Sequence, residues 1–306
     1  MRTDVVVVTW RARDLLASCL THLERQTAPC RVIVVDNASG DGTAELVRER
    51  FGAVTLIELE ANVGFGRAAD AGVRAGDGEA IVLVNNDVDC EPGFVAAITA
   101  PLQDPAVGMV AGLLLQPGPG EIVDGFGIEL DATLAAYNRG RHRTPADATG
   151  VLAGPSGGAA AYRRAAYEAV GGFDPRLFAY AEDLDLLLRL RRAGWEAGAA
   201  PAARGVHLGG ATAGVDSPAQ RRLAGFGRGF VLRRYGVLRS RAALRALLVE
   251  ALVVGYGLVR HRTAVPLTAR VAGWRAAGGG RLRVPPGAVD PAIGLREALR
   301  RLRSAR

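Results

Sequence analysis

The run VVDNASGDGT occupies residues 34–43, behind Val32 and Ile33. Its first half reads as a buried β-branched strand that ends on a carboxylate, Asp36. Its second half is turn chemistry with cap residues, and it leads into an expected helix over Ala44–Phe51. A buried strand that hands a polar residue to a turn, and the turn to a helix, is one unit of an α/β fold.

The unit recurs on both sides. Upstream, Val5–Thr9 reads as a strand, and Asp14–Gln26 places Leu15, Leu16, Cys19, Leu20 and Leu23 on one helical stripe. Downstream come a strand at Val54–Leu59, an alanine-rich helix at Gly66–Ala75, and a strand at Ala80–Val84 closed by Asn85, Asn86 and Asp87. Pro92 opens a helix to about Leu102, and Val107–Leu115 is the next strand. This rhythm predicts a mostly parallel sheet with helices on both faces. Ligands of such sheets bind at the carboxyl ends of the strands, which singles out Thr9, Asp36 and Asp87.

The second half is less regular. Residues 116–150 read as a hairpin with loops. GPSGG, residues 154–158, reads as a flexible loop before a helix at Arg163–Val170, and a strong helix runs over Ala181–Ala193. GGATAG, residues 209–214, is the expected linker. It divides a domain over residues 1–212 from a helical, arginine-rich extension over residues 213–306.

Composition separates the same two parts. The chain has 306 residues, 49% hydrophobic and 23% charged, which excludes disorder, collagen and coiled coil as its main class. It contains no lysine. Residues 1–216 carry 19 arginines against 28 acids, a net −9, whereas residues 217–306 carry 19 against three, a net +16. A basic tail fits either nucleic acid or an anionic membrane. Cys19, Cys30 and Cys90 form no CxxC pair, so neither a disulfide framework nor a structural zinc site is expected. MRTDVVVVTW is broken by Asp4, and Arg11 follows it, so it reads as a strand rather than a secretory leader, and a cytoplasmic location is expected. Residues 242–259 are apolar except for Arg245 and Glu250. Those two mid-span charges favour a buried or interfacial amphipathic helix over a transmembrane one.

Several residues have the chemistry for a site, each with a plainer alternative. Asp36 suits a base or ribose, or simply caps a turn. Asp87 and Asp89 suit Mg²⁺ or Mn²⁺ that also holds a diphosphate, or are solvated turn acids. Glu182, Asp183 and Asp185 open a helix, where acids are favoured by the macrodipole alone. The apolar GGFDPRLFAY before them would bury part of the cluster and raise a carboxyl pKa, as a general base needs. His207 is a metal or phosphate ligand, or a structural histidine. The first strand is not followed by GxGxxG, which argues against a dinucleotide-dependent oxidoreductase.

Taken in order, VVVVTW, VVDNASGDGT, NVGFGRAADAG, LVNNDVDCEPGF, GGFDPRLFAYAEDLDLLLRLRRAGW and the late histidine resemble the family 2 glycosyltransferases of the GT-A fold, over about residues 1–210. The resemblance is to the rhamnosyltransferase-like branch, whose members invert the anomeric centre. It implies that Asp36 binds the nucleotide base, with Thr9, Asn62, Gly64 and Asn85 on the donor side. It implies a metal, Mg²⁺ or Mn²⁺, held at Asp87, with Asp89 and His207 as further ligands. Asp183 becomes the general base with Glu182 beside it, and Gly157 and Gly158 shape the acceptor side. Two positions depart from the pattern: Asp70 stands where the family usually carries Asn, and Asn86 where Pro is common. Both are expected beside the nucleotide site, where they would bear on donor identity.

The expected protein is thus an inverting, metal-dependent transferase of cell-surface polysaccharide or glycolipid synthesis. dTDP-rhamnose is the expected donor, ahead of UDP-hexoses and UDP-galactofuranose. The expected acceptor is a saccharide or polyprenyl-linked hydroxyl. The tail would hold the chain peripherally on the anionic inner face of the plasma membrane, with no nucleic acid expected. The competing readings are a non-catalytic nucleotide-sugar-binding subunit and a nucleic-acid-binding protein that stacks Phe226, Phe230, Tyr235, Tyr256 and Trp274.

Overall fold

Three apolar runs around Val5–Val7, Ile33–Val35 and Ala80–Val84 build the centre of a nine-stranded sheet, because strands covered on both faces need no polar alternation. The computed structural model describes residues 1–209 and 217–304. The first half follows the expected rhythm: β1 (Thr3–Thr9), α1 (Arg13–Leu23), β2 (Arg31–Asp36), α2 (Thr43–Arg50), β3 (Thr55–Glu58), α3 (Phe65–Ala75) and β4 (Ala80–Asn85). Next come β5 (Val88–Cys90), α4 (Phe94–Thr99) with a 3₁₀ turn at Ala100–Gln103, and β6 (Val107–Leu115). β7 (Val123–Gly125) pairs with β6, and β8 (Ile128–Leu130) and β9 (Ala136–Asn138) form a separate hairpin. β10 (Ala159–Arg163), α5 (Arg164–Ala169), α6 (Glu182–Arg192) and β11 (Glu196–His207) complete the body. α7 (Pro218–Arg234), α8 (Ala243–His261), α9 (Val265–Ala276) and α10 (Leu295–Ser304) follow.

The sheet order is β3-β2-β1-β4-β10-β6-β11-β5, parallel except at β10, β5 and the side strand β7. Successive side chains divide between the two faces. Val6, Ile33, Val35, Ile81 and Leu83 pack with Ala68, Ala69 and the leucines of α6. Val5, Val7, Val34, Val82 and Val84 pack under Leu16, Leu20, Val47 and Phe94.

Two expectations are corrected. Residues 159–162, given no element in the sequence reading, and Arg163, expected to open a helix, form β10, paired antiparallel to β4 and β6 in mid-sheet, and the helix begins at Arg164. Residues 196–207, given no element in the sequence reading, form the longest strand. It bulges between Ala200 and Arg204, around Pro201, where the ladder loses a donor.

The C-terminal helices share the core of the body. Val231, Leu232, Tyr235, Val237 and Ala246 lie in one cluster with Leu184, Leu186 and Leu190. Arg228 donates to the carbonyls of Thr133 and Leu134 at 2.9 and 3.0 Å, and Arg245 pairs with Asp131 at 2.7 Å. α7 and α9 cross closely enough that a Cβ on Gly229 would fall 2.0 Å from the Arg270 carbonyl oxygen, and one on Gly273 1.9 Å from that of Phe226. The boundary expected at residue 212 lies outside the described residues, as does the GGATAG linker beyond Gly209.

Candidate active site

Four turns interlock at the carboxyl edge of the parallel strands. The Asn37 amide donates to the Thr9 carbonyl at 2.9 Å, and the Asn37 side chain donates to Asn62 Oδ1 at 3.0 Å while accepting from the Val63 amide at 2.9 Å. Asn62 Oδ1 also accepts from the Gly64 amide at 3.0 Å. Asn86 donates to Thr9 Oγ1 at 2.9 Å. Thr9, buried, is therefore a tie between turns. Gly64 has φ +87°, and a Cβ there would meet the Phe178 carbonyl oxygen at 2.2 Å, so only glycine fits. Phe178 accepts the Phe65 amide at 2.8 Å, which docks the strap before α6 onto the 62–64 turn.

At one end of this edge Asp36 is buried, with Oδ1 accepting the Ser39 amide at 3.0 Å. Its carboxylate lines a cavity of about 380 Å³ with Ser39, Gly40, Thr43, Glu58 and Leu59. That is the scale of a small-molecule subsite.

At the other end sits Asp87, on the turn that leaves β4. It is buried, and its Oδ1 lies 3.3 Å from His207 Nε2 and has no hydrogen-bond partner among the described residues. His207, the last residue of β11, binds Asp124 Oδ2 through Nδ1 at 2.7 Å. Burial lowers the His207 pKa, but the hydrogen bond to Asp124 and the nearness of Asp87 outweigh it and push it up to about 9. A histidine held by a carboxylate on one nitrogen, with the other aimed at a second carboxylate, is the arrangement that orients a metal ligand. Asp89 is not brought to this cluster. It accepts from Ser18 Oγ at 2.8 Å and lies 3.3 Å from His22 Nδ1, towards α1. Among the described residues, no three His, Cys, Asp or Glu side chains gather as a ready-made metal site.

α6 brings the second pair of carboxylates. Tyr180 and Ala181 precede it with φ +65° and +71°, two consecutive non-glycine residues in the left-handed region. Such strain persists only where the surroundings hold it, and it often marks a functional strap. Asp183 Oδ1 accepts the Leu184 amide at 2.7 Å, and the Gly157 backbone lies near enough to this carboxyl to favour its charged form. Glu182 Oε2 is buried without a partner. Burial, then the charge of Asp183, pushes the Glu182 pKa up to about 8, and burial raises Asp183 as well.

One loop joins the two ends. The Gly158 carbonyl accepts the Asn85 amide at 3.2 Å on the β4 side, while Gly157 lies near Asp183. The loop thus links the turn that carries Asn85 and Asp87 to the start of α6, while Asn62 and Gly64 tie into the Asn37 turn beside Asp36. Asp70 is not at the nucleotide edge. It accepts from the Tyr167 hydroxyl and the Phe173 amide, inside the turn before the strap. The sequence reading missed Asn37 and Asp124. Asn37 was legible as the second residue of DNAS. Asp124 had no local signal, since it meets a histidine 83 residues away.

A mostly parallel sheet flanked by helices, with a cavity beside Asp36, a carboxylate on the turn after β4 and a carboxylate pair at the start of α6, has the architecture of a GT-A glycosyltransferase. The chain belongs to glycosyl transferase family 2, whose family model matches residues 4–171. It is 33% identical over 232 residues to the N-acetylglucosaminyl-diphospho-decaprenol L-rhamnosyltransferase of Mycobacterium tuberculosis, covering 66% of this chain and 75% of that one. Two solved structures share the fold. The mannosyltransferase PcManGT of Pyrobaculum calidifontis, in complex with GDP-Man and Mn²⁺, aligns with TM-score 0.56 and 22% identity, over 98% of this chain and 80% of that one. GalNAc-T7, solved with UDP, GalNAc and Mn²⁺, aligns with TM-score 0.63 and 15% identity, over 88% and 54%.

Proposed function

We propose that the protein is an inverting, divalent-metal-dependent rhamnosyltransferase that moves a sugar from dTDP-rhamnose to a hydroxyl of a polyprenyl-diphosphate-linked saccharide. It would work at the anionic inner face of the plasma membrane, in cell-surface polysaccharide synthesis. One observation carries this reading: the Gly157–Gly158 loop touches the Asn85–Asp87 turn on one side and Asp183 on the other. It sets a leaving-group site opposite a proton acceptor.

The residues at Asp87 fit a metal. Oδ1 is a buried carboxylate oxygen with no hydrogen-bond partner among the described residues, and His207 stands beside it, fixed by Asp124. Asp87 and His207 would hold Mg²⁺ or Mn²⁺, with diphosphate oxygens completing the set. A divalent ion there would supply positive charge against the departing diphosphate. Asp36 and the Ser39–Gly42 turn take the nucleoside. Asp183 takes the proton from the acceptor hydroxyl as that oxygen attacks the anomeric carbon, and Glu182 stays protonated beside it below about pH 8. A single displacement needs no carboxylate nucleophile and inverts the centre. The decaprenol-linked acceptor named for the mycobacterial relative supports the acceptor class.

The test is direct. Purified full-length chain is given dTDP-rhamnose, Mn²⁺ and a polyprenyl-diphosphate N-acetylglucosamine, and the product anomer is read by NMR. An inverted rhamnoside that EDTA suppresses supports the proposal. Transfer only from another nucleotide sugar, or transfer with retention, overturns it.

A further inference from the structure

α8 carries an apolar stripe that faces away from the body. Leu244, Leu247, Leu248, Leu252, Leu258 and Val259 are between 45 and 83% exposed. At 100° per residue they fall within an arc of about 140°, and the stripe runs about 22 Å along the helix. Ala251 and Gly255 fill the gaps, and no charged residue falls within the arc. Leu267 and Val271 of α9 are exposed as well. Contiguous apolar surface of this kind is rare on soluble monomers and marks an interaction site.

The opposite face of α8 is locked in place. Ala246, Val249 and Gly257 are buried, Arg245 pairs with Asp131, and Glu250 is held at 2.6 Å by both Arg228 and Arg270. The stripe is therefore presented by a fixed helix.

Charge selects the occupant. The three acids of residues 217–306 are all engaged: Glu250 by those arginines, Asp290 by the Ala292 and Val151 amides, and Glu297 by Arg300 and Arg301. Arg241 before the helix, and Arg260 and Arg262 at its end, are exposed and form no ion pair among the described residues. A leucine stripe with cationic ends matches the headgroup and upper acyl zone of an anionic leaflet. A second copy facing the stripe would set these arginines against each other. No helix among the described residues is long and apolar enough to cross a membrane, so α8 would lie in the interface plane.

We propose that α8, flanked by α9, inserts its leucine stripe into the surface of an anionic lipid bilayer. Between this face and the strap before α6 lies α7. Its Gly227 packs on the Tyr180 carbonyl and on Ala181, and its Arg228 binds Glu250 of α8. Docking thus holds the acceptor side of the site one helix from lipid. The inference rests on the transferase reading only for this purpose.

Vesicle sedimentation of the full chain, without donor or acceptor, tests it. The vesicles are phosphatidylcholine alone or with phosphatidylglycerol added. The wild type is expected to sediment with the phosphatidylglycerol vesicles. Leu247→Glu/Leu252→Glu, at exposed positions, is expected to bind at least about tenfold more weakly with unchanged melting temperature and unchanged turnover of a water-soluble acceptor. Arg260→Gln/Arg262→Gln is expected to weaken binding and reduce its dependence on phosphatidylglycerol. Equal binding by the leucine variant, or no binding by the wild type, overturns the proposal. So does a wild-type dimer that the leucine variant breaks, which would assign the stripe to a second copy. Vesicle binding without sugar transfer would refute the sugar-transfer reading alone, and transfer without vesicle binding would refute this inference and the membrane location but not the transfer.

Discussion

The hydroxyl of Tyr235, the residue that follows α7, donates to Asp185 Oδ1 at 2.8 Å, two residues along α6 from Asp183. Asp185 is fully buried, and its other oxygen takes Arg189 Nε at 2.6 Å. Arg189 in turn donates to the carbonyls of Val170 and Gly172 at 2.8 and 2.7 Å. The C-terminal helices, the helix that carries the proposed base and the turn before its strap are one network. The basic tail therefore positions the site, whatever else it binds, and many of its arginines are engaged inside the molecule.

Tyr235→Phe removes the only hydrogen-bond donor to Asp185 Oδ1 among the described residues and leaves a buried carboxylate oxygen unpaired. The expected loss is about 1–3 kcal/mol of stability, read as a lower midpoint in denaturant with an unchanged slope. Ending the chain before Pro218 exposes Leu184–Leu190 and should give no soluble, active domain. A truncated chain that folds and transfers sugar would contradict this shared core.

Asp183→Asn tests the base. The amide keeps the shape and the contact with the Leu184 amide but takes no proton. Turnover should fall by about 10²–10⁴-fold. Donor affinity by calorimetry should stay within a few-fold, because Asp183 faces the Gly157 loop and not the Asp36 cavity. Retained turnover would move the base elsewhere.

Asp87→Ala and Asp124→Asn separate two roles. The first removes the unpartnered oxygen and should abolish Mn²⁺-dependent donor binding. The second leaves Asp87 intact but frees the His207 ring, and should weaken Mn²⁺ by about 10–100-fold. Donor binding by Asp87→Ala that still responds to Mn²⁺ would remove this residue from the metal role.

Glu182 gives a pH signature. Its folded pKa, about 8, lies above the 4.5 of an unperturbed glutamate, because burial and Asp183 disfavour the charge. The folded state holds a proton that the unfolded state has released, so stability falls as pH rises between those values and levels off above about 8. Glu182→Gln removes that slope. In urea melts at pH 6 and 9, the wild type should lose more stability between the two than the variant does. Parallel losses would show that Glu182 is ionised throughout.

How far the sequence carried depended on how each strand earns its place. β1, β2 and β4 announce themselves as VVVV, VIVV and AIVLV because both of their faces are covered. β10 (AAAYR) and β11 (EAGAAPAARGVH) have no such signal. Alanine and glycine are poor strand formers, and these segments are strands because β4, β6 and β5 supply the partners. In the site, motif spacing found the residues of single turns. It did not find Asp124 or Tyr235, whose roles arise from contacts 83 and 50 residues away. Phe230 and Tyr235, read as possible base-stacking groups, are buried in the core.

Asp70 shows the opposite error, a motif position that was legible but misplaced. It lies on α3, past the Asn62–Gly64 turn, and its side chain accepts from Tyr167 and Phe173 in the turn before the strap. Burial raises its pKa, so the site tolerates a neutral group. An asparagine Oδ1 accepts the same two hydrogen bonds. Asp70→Asn should therefore change stability by less than about 1 kcal/mol. It should also leave the ranking of kcat/KM across dTDP-, UDP- and GDP-sugars unchanged. A re-ordered donor preference in this variant would show that the strap transmits the identity of residue 70 to the nucleotide cavity.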